Sequence, residues 1–256
     1  MKLSIPDKLD NFINLLKELP MIRSLLIVSA ALFITAGTAV LIVVINIFSP
    51  AEQLSRRIGR RWAKILLYIS GVKIVIIGTE NITVGNAQIF MANHQSDFDI
   101  LICMAGIPVD FVWTAKKELF RIPFFGRAMR ASGFVEIDRQ HREQAIRNLD
   151  QAANTLLAGI SVAAFPEGTR SRDGKLLPFK QGMFYLAIQT GIPIVPVTVI
   201  GSGKIMSKKS WQVKRGEIIM VIDKPVACDG YTIETRATLM EKVREIIIAN
   251  QSKYGS

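Results

Sequence analysis

The chain has 256 residues, of which half are hydrophobic and 21% carry a charge. This length suits one large α/β domain with a full core and a small appendage, and it excludes an array of several domains. The formal net charge of +11 favours anionic partners, such as lipid headgroups or phosphorylated substrates. The mean hydropathy of +0.31 is high for a soluble domain. These values together predict a globular body attached to a membrane.

The two cysteines, Cys103 and Cys228, lie far apart in the sequence and have no paired-ligand spacing or histidine cluster beside them. We therefore expect them to be reduced core residues on the cytosolic side, and neither a disulfide nor zinc ligands. No metal site and no resident cofactor are predicted.

The N-terminal region contains a long apolar segment, Leu25–Phe48, within a stretch that has no charged residue between Arg23 and Glu52. As a helix it would be about 36 Å long, which is enough to cross a bilayer core. It is too long for the apolar part of a signal peptide, so we expect it to remain on the mature protein. Basic residues flank both of its ends, and their balance favours a cytoplasmic C-terminal side only weakly.

The next segment, "LSRRIGRRWAKILLYIS", combines five basic residues on one predicted helical face with apolar residues on the other. This pattern is typical of a helix that lies among lipid headgroups, with Trp62 at the interface. A helix packed on the globular core, with a solvated basic face, is the alternative. The N-terminal region is therefore predicted to be either a spanning helix followed by a surface helix or a two-helix hairpin in one leaflet. Residues 1–70 are assigned to this membrane-associated segment and residues 71–256 to an α/β domain.

Short β-branched runs alternate with helical stretches after Gly71. This alternation predicts a central, largely parallel or mixed sheet that is covered by helices on both faces. The stretch "HREQAIRNLDQAANTLLAG" has apolar residues at helical spacing, and a last helix is predicted at Ile233–Asn250. The predicted strands are Val72–Ile77, Gln88–Ala92, Phe111–Thr114, Phe134–Ile137, Ser161–Phe165, Ile194–Ile200 and Glu217–Ile222.

The stretch "ANHQSDFDI" contains His94, one of only two histidines in the chain, five residues before Asp99. On one continuous helix this spacing would separate the two side chains by about 140°. If the strand instead ends near Ala92 and a turn leads into a helix containing Asp99, the acid can fold back onto the imidazole. Such an acid holds one ring nitrogen as a donor and leaves the other free to accept a proton, as a general base requires. A histidine buried in the core is the alternative for this residue taken alone.

A second stretch, "AAFPEGTRSRDGKLLPFKQG", follows a predicted strand and carries several basic residues. Gly168 would allow the backbone to approach a ligand, and Arg170 could hold a phosphate through two parallel hydrogen bonds.

A third stretch, "ASGFVEIDR", places Arg139 at the end of a strand. A fourth, "GIPIVPVTVIGSG", has Pro193 and Pro196 in a strand-like run, which predicts an edge strand, a strand start or the wall of a ligand groove.

These four stretches, in this order, resemble the motifs of the glycerolipid acyltransferases that convert lysophosphatidic acid to phosphatidic acid. The resemblance covers roughly residues 60–225, and the third motif, Phe-Pro-Glu-Gly-Thr-Arg-Ser, is matched in full at Phe165–Ser171. The other matching positions are Asn93, His94 and Asp99 in the first motif, Gly133, Asp138 and Arg139 in the second, and Ile192–Val197 in the fourth. Glu136 departs from the second motif, where an apolar residue is more usual, and this leaves the register of its strand open.

The resemblance implies direct acyl transfer without an acyl-enzyme, and no serine or cysteine of this chain stands in a nucleophile-elbow sequence. It implies that His94 is the catalytic base and that Asp99 orients it. The substrate-binding residues that it implies are Lys116, Arg139, Glu167, Gly168, Thr169 and Arg170. Of these, Lys116, Arg139 and Arg170 would hold the acceptor phosphate. Backbone N–H groups near Glu167 and Gly168 are predicted to stabilise developing negative charge.

The function predicted from the sequence is that of a membrane-bound 1-acylglycerol-3-phosphate acyltransferase with its active site on the cytoplasmic face. The donor would be acyl-CoA or acyl carrier protein, and the partners would be the bilayer and lysophosphatidic acid. Other acceptors remain open, namely glycerol 3-phosphate, another lysophospholipid or lyso-ornithine lipid, and so does a non-catalytic phospholipid-binding protein. Nucleic acid is not predicted as a partner, because the basic residues have little interleaved aromatic platform.

Overall fold

The structure is a computed structural model that describes residues 20–137 and 142–255. Predicted features at Asp138, Arg139 and His141 therefore lie outside the described residues. The helices are α1 Pro20–Phe48, α2 Glu52–Ile69, α3 Phe98–Gly106, α4 Lys117–Phe120, α5 Phe125–Ala131, α6 Arg142–Leu157, α7 Gly182–Thr190, α8 Ser202–Ile205 and α9 Arg236–Tyr254. The strands are β1 Val72–Ile77, β2 Ile89–Ala92, β3 Phe111–Lys116, β4 Val135–Ile137, β5 Ser161–Ala164, β6 Ile194–Ile200 and β7 Gly216–Ile222.

The seven strands form one sheet in the order β1-β7-β6-β2-β5-β3-β4. Neighbouring strands pair in parallel except for β6 and β7, which are antiparallel. The central strands β2 and β5 are buried along their whole length, as expected of parallel strands covered on both faces. Apolar clusters lie on the two sides of the sheet, one against α2 and α3 and the other against α6, α7 and α9. The predicted α/β class with a largely parallel or mixed sheet is confirmed.

The fourth stretch differs from one of its predicted forms, because β6 is an interior strand between β2 and β7. Proline is tolerated there because of where it falls. Pro193 precedes the strand, and the antiparallel ladder with β7 begins at Val197, one residue after Pro196. The N–H of Asp223 still donates to Pro196 O at 3.0 Å. Only the second hydrogen bond of this residue pair is missing, because proline has no backbone N–H to donate.

The register of β4 is settled by its pairing with β3, in which Val135 lies opposite Thr114 and Glu136 opposite Ala115. Val135 is buried, whereas Glu136 points to the half-exposed side and forms an ion pair with Arg130 at 3.7 Å. Glu136 is thus compatible with the strand.

The N-terminal helix α1 has 29 residues and is, in the described part of the chain, the one helix long and apolar enough to cross a membrane. It contacts the rest of the protein along its whole length. Near its start, Arg23 donates to Val213 O and Ser70 O at 2.7 and 2.6 Å. Near its end, Asn46 donates to Ser55 Oγ of α2 at 2.8 Å.

The second helix, α2, packs on the domain through its buried side chains, among them Ala63, Leu66 and Leu67. The ring of Trp62 is half-buried against the core, and Nε1 donates to Thr35 Oγ1 of α1 at 3.0 Å. The basic residues of α2 do not form one solvated face, because Arg56 and Arg60 donate to backbone carbonyls of the domain. Three basic residues of α2 remain exposed, namely Arg57, Arg61 and Lys64.

Candidate active site

The candidate site lies at the carboxyl edge of the sheet, where several parallel strands end. His94 follows β2, Phe165 follows β5, and Lys116 is the last residue of β3. Because parallel strands present their carboxyl ends at the same edge, residues far apart in the sequence meet there. The first and third predicted motifs meet there for this reason, and Lys116 joins them.

The predicted turn between β2 and α3 brings His94 onto Asp99. The distance from His94 Nδ1 to Asp99 Oδ2 is 2.9 Å, and the same oxygen accepts the N–H groups of Gln95 and Ser96 at 2.6 and 2.7 Å. Asp99 is fully buried in the first turn of α3. A carboxylate can only accept hydrogen bonds, so Nδ1 carries the proton and Nε2 is left as the basic nitrogen.

The imidazole of His94 is also held by stacking. Its ring lies parallel to that of Phe165, with centroids 3.8 Å apart, and Phe165 in turn stacks on Trp113 at 4.8 Å. His94 lines a cavity of about 510 Å³, and Nδ1 faces the buried carboxylate. Nε2, on the opposite side of the ring, is therefore the nitrogen that can meet a substrate.

Glu167 was predicted to bind substrate, but the structure gives it a different task. It is buried, and both of its oxygens are taken by backbone groups: Oε1 accepts His94 N at 2.6 Å and Oε2 accepts Leu177 N at 2.8 Å. Burial raises the pKa of Glu167 to about 7, although the two N–H donors act in the other direction and lower it. The side chain ties the third motif to the turn that carries His94.

Gly168, Thr169 and Arg170 do line the cavity. The N–H of Gly168, however, already donates to Phe165 O at 3.0 Å within its turn. In this turn the Gly168 N–H is therefore not free to stabilise developing charge, and the prediction of such a group near Glu167 and Gly168 stays a prediction. Gly168 has a φ of 74°, a conformation that a residue with a Cβ rarely adopts.

Three basic side chains lie at the mouth of the cavity. Lys116 and Arg170 were predicted there, and Arg170 forms an ion pair with Asp97. Lys208 is the third, and the sequence did not indicate it. Its Nζ donates to Thr169 Oγ1 at 2.9 Å and to Arg170 O at 2.8 Å.

Partial burial, and then the neighbouring Arg172, Arg170 and Lys116, lower the pKa of Lys208. A lysine whose pKa is lowered by surrounding cations marks a region of positive potential that would attract a phosphate. Lys208 follows α8 in a segment without motif residues, 38 positions from Arg170, so no local signal in the sequence could have found it.

The rest of the cavity is apolar and extends away from His94 towards the N-terminal helices. Its wall combines residues of α1, α2, α3 and α5. The lining residues on α1 are Thr35, Thr38, Ala39 and Ile42. A basic mouth joined to an apolar interior suits an amphiphile with a phosphate head.

Asn93, the residue before His94, has a structural role. Its side chain is buried, and it both donates to Val199 O at 2.8 Å and accepts Val199 N at 2.7 Å. This pair of bonds anchors the start of the His94 turn to β6.

Both cysteines are buried, as predicted.

Known proteins share both sequence and fold with this chain. The sequence profile of the family described as Acyltransferase matches residues 73–200. A 1-acyl-sn-glycerol-3-phosphate acyltransferase from Limnanthes douglasii is 30% identical over 226 residues, which is 86% of this chain and 79% of that protein. One from Saccharomyces cerevisiae is 34% identical over 200 residues, 77% of this chain and 66% of that protein.

Among solved structures, the crystal structure of the 1-acyl-sn-glycerophosphate acyltransferase PlsC from Thermotoga maritima is similar, with a TM-score of 0.78 and 27% identity. The match covers 92% of this chain and 97% of that one. The fold and the His94–Asp99 site thus define an acyltransferase. The chain belongs to the acyltransferase family, and it resembles the 1-acyl-sn-glycerol-3-phosphate acyltransferases within it.

Proposed function

We propose that this protein transfers a fatty acyl group from an acyl thioester to the free hydroxyl of 1-acylglycerol 3-phosphate and so makes phosphatidic acid. The observation that carries this proposal is the position of His94, with Nδ1 fixed by Asp99 and Nε2 available in a cavity that is basic at its mouth and apolar within. The names of the relatives support the same acceptor.

The reaction begins with proton transfer from the glycerol hydroxyl to His94 Nε2, while that oxygen attacks the thioester carbonyl. The tetrahedral intermediate then collapses, its C–S bond breaks, and the proton on His94 passes to the departing thiolate. Asp99 stabilises the imidazolium that exists between these two transfers. A base positioned in this way contributes about a hundredfold to ten-thousandfold in rate.

Direct transfer is favoured because the two cysteines and Ser96 are engaged or inactive as nucleophiles. Burial raises the pKa of the Cys228 thiol to about 11, and that of Cys103 well above its usual value. Ser96, two residues from His94, is buried and its hydroxyl donates to Met206 O at 2.7 Å. Neither thiolate nor alkoxide formation is promoted at these positions.

The acceptor phosphate would lie at the mouth of the cavity, against Arg170 and Lys116. Arg139 is proposed to join them, although it lies outside the described residues. Asp97 holds the Arg170 guanidinium at this position before substrate arrives. Charge-assisted hydrogen bonds of this kind are about twice as strong as neutral ones, and they would fix the head of the lipid relative to His94.

Both ends of α1 are tied to the domain, and this supports one arrangement at the membrane. Arg23 and Asn46 are separated by about 34 Å of helix, yet each contacts residues of the domain or of α2. A helix crossing the bilayer would carry one of these ends to the opposite side. We therefore favour a hairpin of α1 and α2 in one leaflet, with the catalytic domain on the cytoplasmic face.

The proposed activity is tested by release of free thiol from oleoyl-CoA and from oleoyl-acyl carrier protein, with lysophosphatidic acid or glycerol 3-phosphate as acceptor. Release that requires lysophosphatidic acid and is lost in His94→Ala is the expected result, with either donor. His141→Ala replaces the only other histidine and is the matched control, which should keep full activity.

Equal rates with glycerol 3-phosphate would contradict the proposed acceptor. Unchanged activity in His94→Ala would contradict the proposed base. No release with any pair of substrates, from protein that still binds phosphatidic acid, would favour a non-catalytic lipid-binding protein instead.

A further inference from the structure

The segment between β3 and α5, "ELFRIPFFG", exposes three large apolar side chains within six residues. These are Leu119, Ile122 and Phe124, and the last two are 46% and 51% exposed. Single exposed apolar residues are ordinary on a protein surface, but a cluster in one turn calls for a partner.

The backbone at Phe124 is held in an unfavourable conformation. Its φ of 58° and ψ of −50° form the centre of a γ-turn, closed by a hydrogen bond of 2.6 Å from Phe125 N to Pro123 O. Among the described residues it is the only non-glycine with positive φ. A bulky residue in this conformation is strained, and strain of this kind persists where the surrounding structure enforces it and often marks a functional position.

The ends of this turn are rigidly supported. Phe120 is buried, and Arg130 of α5 donates to its carbonyl at 3.0 Å while lying over its ring. Gly126 packs so closely on Phe120 that an added Cβ would lie 2.1 Å from the Phe120 oxygen. Packing at both ends therefore holds Phe124 outward, and the exposed ring is a fixed feature of the surface.

The turn continues the apolar surface of α1. It leads directly into α5, whose Ala128 forms one buried cluster with Ala39 and Ile42 of α1. The free face of α1 carries large apolar side chains, including Phe33 at 80% exposure. Two exposed arginines, Arg121 and Arg127, flank the turn and suit anionic headgroups.

We propose that Leu119, Ile122 and Phe124 form a second membrane-contact surface, which inserts into the same leaflet as α1. This inference rests on the membrane attachment that the proposed function includes. Leu119 and Phe125 also line the cavity, so the inserted turn brings the wall of the site to the lipid phase. A lysolipid then reaches His94 from the leaflet without passing through water.

Insertion is measured with single cysteines introduced into the full chain, since Cys103 and Cys228 are buried and would not react with a maleimide dye. The variants are Phe124→Cys and Ile122→Cys in the turn, Phe33→Cys on α1, and Val84→Cys as the matched control. Val84 is 81% exposed and precedes β2, at the opposite edge of the sheet from the site. The labelled proteins are reconstituted in phosphatidylcholine and phosphatidylglycerol vesicles that contain a lipid with a nitroxide on its acyl chain.

We expect the dyes at positions 122, 124 and 33 to be quenched at least threefold more than the dye at 84. Quenching at 33 alone would overturn the proposal and leave membrane attachment intact. Equal, weak quenching at all four positions would contradict membrane attachment itself, and with it this proposal.

Kinetics provide a second readout, with Ile122→Ser and Phe124→Ser. The KM for lysophosphatidic acid presented in vesicles should rise about threefold to tenfold, while the rate with a short-chain, water-soluble acceptor stays unchanged. An equal loss with both acceptors would overturn the proposal, because it would show that these side chains support the fold. Phe124→Gly should raise the melting temperature and show the same selective loss with vesicles.

Discussion

Replacement of Asp99 by asparagine should lower kcat only about tenfold, and the reason lies in the three donors that converge on one carboxylate oxygen. Oδ2 accepts His94 Nδ1, Gln95 N and Ser96 N, whereas Oδ1 is buried with no hydrogen-bond partner among the described residues. An amide nitrogen at the Oδ2 position would face three N–H groups. The amide oxygen is therefore expected to take that position and keep the imidazole oriented as it is.

The loss of rate in this variant then comes from the missing negative charge, and the amide –NH2 group at the unpartnered Oδ1 position lowers stability instead. A hydrogen bond to a charged group contributes about 1.5–3 kcal/mol, and one between neutral groups about 0.5–1.5 kcal/mol. The difference of about 1–1.5 kcal/mol corresponds to a loss of roughly fivefold to tenfold in rate. Asp99→Ala removes the orienting contact as well and leaves two backbone N–H groups unpaired, so its loss should exceed a hundredfold.

The assay is the initial rate of thiol release from oleoyl-CoA at saturating lysophosphatidic acid, with the melting temperature of each variant as the control for folding. The expected order of activity is wild type, Asp99→Asn, Asp99→Ala and His94→Ala. A loss in Asp99→Asn as large as that in His94→Ala would refute the reasoning, because it would place the amide nitrogen against the imidazole.

Three further predictions concern other residues of the site. Arg170→Ala should raise the KM for lysophosphatidic acid about tenfold to a hundredfold and leave the KM for the donor nearly unchanged, as measured by steady-state kinetics; a change confined to the donor would reassign the residue. Asn93→Ala should destabilise the protein by about 2–3 kcal/mol in thermal or denaturant unfolding, because both backbone groups of Val199 lose their partner, and an unchanged midpoint would contradict this. Because burial raises the pKa of Glu167 from 4.5 to about 7, the native state binds more protons than the unfolded state between these pH values. The contribution of Glu167 to the unfolding free energy should therefore decrease as pH rises through this interval. Melting curves at pH 5 and pH 8 measure this loss of stability in the wild type, and the same curves for Glu167→Gln should not show it.

The strands and the His94–Asp99 contact could be predicted because they depend on neighbours in the sequence. The strands Val72–Ile77 and Ile194–Ile200 were predicted with their observed ends, and the other strands differ by one or two residues. The turn after Ala92 was predicted because five residues separate the imidazole from the acid. Only a break between strand and helix lets side chains at that spacing meet.

Contacts that depend on distant packing were not predicted. The hydrogen bond from the Trp62 indole to Thr35 of α1 was not predicted, and it forms because the two helices lie side by side. Glu167 was expected to bind substrate, yet the Leu177 and His94 N–H groups occupy it. In both cases the partner is more than nine residues away, and no local pattern reports the approach.

The sequence alone therefore determined the class of the fold, the order of the motifs and the local geometry at His94, since periodicity and short spacings act between neighbouring residues. The tertiary structure decided that β6 is interior, that Lys208 joins Arg170 at the mouth, and that α1 forms part of the wall of the cavity. These outcomes depend on the order in which the strands pair. That order is set by the burial of whole apolar faces against one another, and this is a property of the complete chain.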